Sequence, residues 1–200
     1  MTGPEPDTST GALLRRGLLL EYATLAWNVV GIAVLAWAAL AARSVALAGF
    51  GLDSLIEIGA SAVVVRELSG SGAGTRRRAL RLIGAAFLLL AFYLAVQCTV
   101  VIVAGHRAHH SAAGIAWTAL TAGVMFALAW GKERTGSALA NPVLRTEGRV
   151  TLVDGMLASA VLVGLVLNAA ANWWWADPAA GYVLVVYALR EARQVQATSA

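Results

Sequence analysis

The chain has 200 residues, of which 59% are hydrophobic and 13% charged, with a mean hydropathy of +0.71. Soluble domains carry about 25% charged residues, so composition excludes that class and identifies an integral membrane protein. The net charge of +4 is not the footprint of a nucleic-acid binder, because the basic residues flank apolar runs instead of gathering on one face.

Residues 1–12 are polar, hold Pro4 and Pro6, and read as a disordered N-terminal tail. A signal peptide is not expected, since the apolar run after Arg15 and Arg16 contains Glu21 and Asn28 and continues past any cleavage-like site. Crossing the hydrocarbon takes ~20 helical residues. Apolar stretches that fit lie near Leu18 to Ala41, Val45 to Val65, Leu80 to Ala104, Ala112 to Trp130, Thr146 to Ala170 and Ala179 to Leu189, the last extended back into Ala176. The predicted fold class is therefore all-α: a polytopic six-helix transmembrane bundle over residues 13–193, followed by a C-terminal tail, 194–200, too short for any core.

The links between spans set the topology. Arg15 and Arg16 precede the first span, Arg66, Arg76, Arg77, Arg78 and Arg81 surround the second link, Lys132, Arg134 and Arg145 flank the fourth, and Arg190 and Arg193 follow the last. The intervening links hold only Arg43 and Arg107. The positive-inside rule then puts both termini in the cytoplasm of a multi-pass cell-membrane protein. Ser69 to Thr75 is a Gly/Ser connector, and Asn141-Pro142 is a breaker that starts the fifth helix. Trp173, Trp174 and Trp175 fall at the outer end of the fifth span, where amphipathic rings favour the headgroup layer, with an aromatic cage as the alternative use. Cys98 is the single cysteine and allows no internal disulfide.

Against this apolar background, the second span carries two acids. Asp53 and Glu57 are four residues apart, so on a helix they share a face, about 6 Å apart along its axis. A charge near the bilayer centre costs roughly 2.5–3.5 kcal/mol on insertion scales, and acids so placed mark ion or proton paths. Glu57 is nine residues from the inner-side Arg66 and Asp154 nine from the inner-side Arg145, which puts both about 13–14 Å from that face. If the second and fifth helices are neighbours, the three carboxylates converge, and like charges there are tolerable only with a cation or shared protons. Oxygen donors of this kind suit divalent ions from magnesium and manganese to zinc. The alternative use is structural: protonated or Arg-paired acids that join helices.

The run Ser44-Val45-Ala46-Leu47 with Asp53-Ser54-Leu55-Ile56-Glu57-Ile58-Gly59-Ala60, and Arg145-Thr146-Glu147 leading into Asp154, resembles the transmembrane domain of cation diffusion facilitators over roughly Glu21 to Arg193. That resemblance implies a midplane metal site made by Asp53, Glu57 and Asp154. It also implies a further ligand at position 150, where this chain has Val150. A valine cannot ligate, so the fourth ligand is expected to be water, with Thr151 or Ser61 as other candidates. Without an imidazole the set is all oxygen, which discriminates less in favour of zinc. Zinc is thus implied by the resemblance, with manganese, cobalt, cadmium and iron as other cargo. The family's cytoplasmic domain is expected to be missing, so a homodimer would form through the membrane helices.

Other polar residues are weaker candidates. Glu147, seven before Asp154, is either on an access route for ions or an interfacial acid paired with Arg145 or Arg149. Asn28, seven after Glu21, either lines the cavity or hydrogen-bonds between helices, and Gln97 and Asn168 are read in the second way. His106, His109 and His110 could hold a metal if helical, and otherwise form a solvated loop. Gly59, Ala60, Ser61 and Ala62 suit close helix packing.

The expected activity is export of a divalent cation by a secondary transporter, with protons moving the other way; the alternative is a non-transporting scaffold or regulatory subunit with a degenerate site. No prosthetic group is expected and no enzyme is indicated: the sequence has no His-Glu-x-x-His, no Gly-x-Ser-x-Gly and no phosphate-cradling Gly loop. The expected partners are the lipid bilayer, the cation and protons.

Overall fold

A computed structural model describes the backbone of residues 8–68 and 73–199, and the side chains within 10–59, 61–62, 84–141, 144–145 and 147–194. Its elements are all helical: α1 (Thr8–Ala42), α2 (Val45–Leu68), α3 (Ala73–Ala104), α4 (Ala112–Ala138), α5 (Pro142–Ala171) and α6 (Ala176–Ser199). Among the described residues, four helices contain stretches long and apolar enough to cross a membrane: Thr10–Ala42, Gly84–Ala104, Ala112–Ala138 and Glu147–Ala171. Large apolar side chains such as Leu40, Leu89, Phe92, Val103 and Val186 cover the outside of the bundle. An apolar exterior around a core that holds polar groups is the inverse of a soluble fold and fits a lipid solvent.

Helices outrun the apolar stretches. α1 already includes Thr8 to Ala12, α4 continues eight residues past Trp130, and α6 passes through residues 194–199. Hydrophobicity marks where a chain meets lipid, whereas helix geometry persists as long as backbone pairing and propensity allow. Residues 1–7 of the expected tail, 69–72 of the Gly/Ser connector, and the side chains of Arg66, Arg76, Arg77, Arg78 and Arg81 lie outside the described residues.

The helix starts are capped as their sequences dictate. The Ser44 hydroxyl accepts from Leu47 N at 3.1 Å, Ser111 accepts from Gly114 N at 3.0 Å, and Asn141 Oδ1 accepts from Leu144 N at 3.1 Å just before Pro142. A second carboxylate reinforces the start of α2. Asp177, in the first turn of α6, accepts from the Ser44 hydroxyl and, at 3.0 Å, from Val45 N. The N-terminal ends of α2 and α6 are thereby pinned at one level. Asn168 is not a helix-to-helix bridge: its amide donates to Ala108 O, in the link between α3 and α4, at 3.0 Å.

The most extensive packing is α4 on α5, then α3 on α6 and α1 on α2, and α2 also touches α3, α5 and α6. At Gly148 the α4 backbone comes so close that a Cβ would stand 3.1 Å from Glu133 N and 3.3 Å from Ala129 O. Leu35, Leu47, Phe50, Leu94, Val161 and Leu184 fill the core. α2 is thus central, and its Asp53 and Glu57 are buried in the bundle.

Candidate metal centre

Gly51 lets α1 come close to α2, since a Cβ there would stand 3.3 Å from Leu35 Cβ, and the acids of the cluster come from α2 and α5. Asp53, Glu57 and Asp154 are buried, with 0%, 6% and 2% of their surface exposed. One carboxylate oxygen from each lies within 4.8 Å of the other two. Two oxygens on one ion can be no further apart than twice the metal–oxygen distance, about 4–5 Å for divalent ions, so a single ion could touch all three. Among the described residues this is the one cluster of His, Cys, Asp or Glu with that spacing.

The hydrogen bonding around it is incomplete. Asn28 on α1 donates its amide to Glu57 Oε2 at 3.1 Å, and Asp154 is within hydrogen-bonding reach of Glu57. Both oxygens of Asp53 and Oε1 of Glu57 are buried and have no partner. Buried acceptors are nearly always satisfied, so such a set leaves room for a cation or for protons. Asn28 thus bridges helices through the cluster itself. Val150 is half-buried one turn before Asp154 and supplies no donor.

Glu147 does not pair with Arg145 or Arg149. It belongs to a second polar layer built around Lys132, which is not a headgroup charge at the end of the fourth span but is wholly buried within α4. Lys132 Nζ lies 3.1 Å from Glu21 Oε2, 3.1 Å from Thr151 Oγ1 and 3.6 Å from Glu147 Oε1. Ser61 donates to Glu147 Oε1 at 3.2 Å, and Thr151 donates to the Glu147 carbonyl at 2.9 Å. The hydroxyls of Ser61 and Thr151 are therefore engaged in this layer and not in the carboxylate cluster. A lysine two residues past Trp130 reads as an anchor because its sequence neighbours do; only the tertiary fold reveals the two glutamates that enclose it.

Several expectations concern residues away from the centre. His106, His109 and His110 are exposed in the non-helical link between α3 and α4, and Arg145 is exposed, paired with Glu133 at 3.1 Å. Trp173 and Trp175 stack on one another, 5.3 Å apart, at the turn before α6, both about half exposed. Of the small residues of α2, Gly59 and Ala62 are exposed, and a Cβ at Gly59 would meet nothing within 4 Å among the described residues, while the side chain of Ala60 lies outside them.

α6 contributes two groups that hydropathy alone did not single out. Tyr187 is buried, with its hydroxyl lacking a partner, and its ring meets Phe87 edge-on at 6.0 Å. Glu191, one turn further and past the apolar stretch that ends at Leu189, has its carboxyl raised above the ordinary range by burial, with Arg190 offsetting part of that rise.

Residues 81–200 match the cation efflux transmembrane domain family. The match takes in most of α3 and all of α4 to α6, including Asp154, while Asp53 and Glu57 precede it. A search of curated proteins finds no match. Since the family match spans more than half of the chain, this protein belongs to the cation efflux family and is a membrane cation transporter of the cation diffusion facilitator kind.

Proposed function

We propose that the protein is a secondary transporter that exports a divalent metal cation across the cell membrane in exchange for protons, with Asp53, Glu57 and Asp154 as the ion-binding residues. The observation that carries this reading is the convergence of their buried oxygens within 4.8 Å, with the Asp53 carboxylate wholly unpartnered. Anions so enclosed require a positive partner, and an ion or a proton can each fill that need at the same atoms. Competition between the two at one site is a sufficient basis for exchange: the ion leaves on one side as protons bind, and proton loss on the other side restores the empty carboxylates.

The cytoplasmic position of both termini rests on the alternation of Arg and Lys between links. In that orientation the Lys132 layer lies between the carboxylates and the cytoplasm. Zinc is the first cargo by resemblance to the family, and the all-oxygen donor set admits manganese, cobalt, cadmium and iron as well. A homodimer through membrane helices would cover the exposed small-residue face of α2 at Gly59 and Ala62.

The second reading is a scaffold or regulatory subunit with a degenerate site, and Val150 favours it. Growth of a metal-sensitive host separates the two. Expression of the chain should raise tolerance to one or more of zinc, manganese, cobalt, cadmium and iron, and Asp154→Asn should remove that tolerance at equal expression. Tolerance unaffected by Asp154→Asn, or none for any metal, supports the scaffold.

A further inference from the structure

Val150 leaves the carboxylate cluster without a donor at one position, so whatever completes an ion's shell comes from elsewhere. α6 and α2 both run from their pinned N-terminal ends, where Val45 N donates to Asp177. Tyr187 is ten residues past Asp177, whereas Asp53 and Glu57 are eight and twelve past Val45. At about 1.5 Å per residue, Tyr187 stands level with the gap between the two acids.

The side chain is buried, and its hydroxyl has no hydrogen-bond partner. It lies within electrostatic reach of Asp53, Glu57 and Asp154. The edge-on contact with Phe87 fixes the ring. A phenylalanine would fill the same ring volume without burying a hydroxyl, so packing does not account for the oxygen. Besides Glu21 Oε1 and Trp117 Nε1, the buried polar atoms left without a partner among the described residues are the Tyr187 hydroxyl and three oxygens of the cluster, Asp53 Oδ1 and Oδ2 and Glu57 Oε1. Buried polar groups left unpaired at one level of the bundle mark space for a bound species that joins them.

We propose that Tyr187 is the positioning residue of the cation site: its hydroxyl holds the water that completes the ion's coordination shell in place of the ligand Val150 cannot provide. A water held this way favours hard ions that retain hydration, such as manganese(II), over soft ones such as cadmium(II). The inference rests on the reading of Asp53, Glu57 and Asp154 as ion-binding residues.

Calorimetric titration of the detergent-purified full chain with manganese, zinc and cadmium chlorides tests it. The comparison covers the unaltered protein, Tyr187→Phe, Asp154→Asn, and Tyr187→Phe combined with Val150→His. Loss of an outer-shell partner typically weakens metal binding roughly 10- to 100-fold. Tyr187→Phe should lose that much for manganese and clearly less for cadmium, with the metal-free melting temperature unchanged. Adding Val150→His should restore zinc binding by supplying a nitrogen from the protein. If Tyr187→Phe binds all three ions like the unaltered chain while Asp154→Asn abolishes binding, the role of Tyr187 is refuted and the carboxylate site stands. Equal losses for all three ions with a lowered melting temperature show a merely structural role and overturn it too. Binding that survives Asp154→Asn, or no binding by the unaltered chain, removes both the site and the inference.

Discussion

Lys132 Nζ lies 3.1 Å from Glu21 Oε2, and both side chains are wholly buried, joining α4 to α1 deep in an apolar bundle. Glu147 and Thr151 on α5 and, through Glu147, Ser61 on α2 complete the layer, so four helices meet at one ammonium. Removing one partner of a buried ion pair leaves an uncompensated charge and costs about 3–5 kcal/mol, whereas replacing the whole set with apolar groups is far milder. Lys132→Met should therefore lower the unfolding free energy by about that amount. The double variant Lys132→Met with Glu21→Gln should recover a large part. Thermal unfolding in detergent reads both, and a fully stable Lys132→Met single variant would contradict the pairing.

Asn28 fixes one oxygen of Glu57 by a 3.1 Å hydrogen bond. Outer-shell partners of metal ligands orient them, and their loss costs roughly 10- to 100-fold in affinity. Asn28→Ala should raise the dissociation constant for the transported ion by that factor while leaving the number of bound ions per chain unchanged. Equilibrium dialysis measures both quantities.

Gly148 carries the close approach of α5 to α4, with Glu133 N only 3.1 Å from where a Cβ would stand. Backbone atoms cannot step aside as a side-chain tip can. Gly148→Val should destabilise the bundle by about 1–3 kcal/mol through overpacking. Gly59→Ala, where a Cβ meets nothing within 4 Å among the described residues, should leave the isolated chain as stable or slightly more so. Detergent melting curves of the two variants side by side check the contrast.

Much of the architecture is legible in the sequence because the same residues carry both signals. The acids at 53, 57 and 154 stand out against apolar runs, and counting from Arg66 and Arg145 puts Glu57 and Asp154 at one depth. The layer around Lys132 is not legible in this way: Lys132, Glu147 and Thr151 have ordinary neighbours in sequence, and Lys132 meets its partners only across 15 or more residues, as with Glu147, Thr151 and Glu21. Tyr187 escaped for a related reason, since a tyrosine in an apolar run reads as core, and only the coordinates show that its hydroxyl has no partner. The helices extend beyond the apolar stretches, as at Thr8 and past Trp130, because helix propensity continues where hydropathy ends.

Metal-ligating carboxylates must be deprotonated, so ion binding releases protons and weakens as pH falls. The apparent affinity should therefore drop steadily on acidification, and calorimetry in buffers of different ionisation enthalpy should reveal protons released per ion bound. Asp53→Asn and Glu57→Gln should each reduce that number, because each removes one titrating group from the cluster. An affinity independent of pH would be at odds with proton competition at these oxygens.

The central claim is that Asp53, Glu57 and Asp154 bind and carry the cation. Purified chain reconstituted in proteoliposomes, with a metal-sensitive and a pH-sensitive dye reporting opposite fluxes, tests it most directly. The account predicts metal movement coupled to counter-movement of protons in the unaltered protein, and loss of both fluxes in Asp53→Ala and Asp154→Ala variants that retain their fold. Metal flux undiminished in those two variants would contradict it.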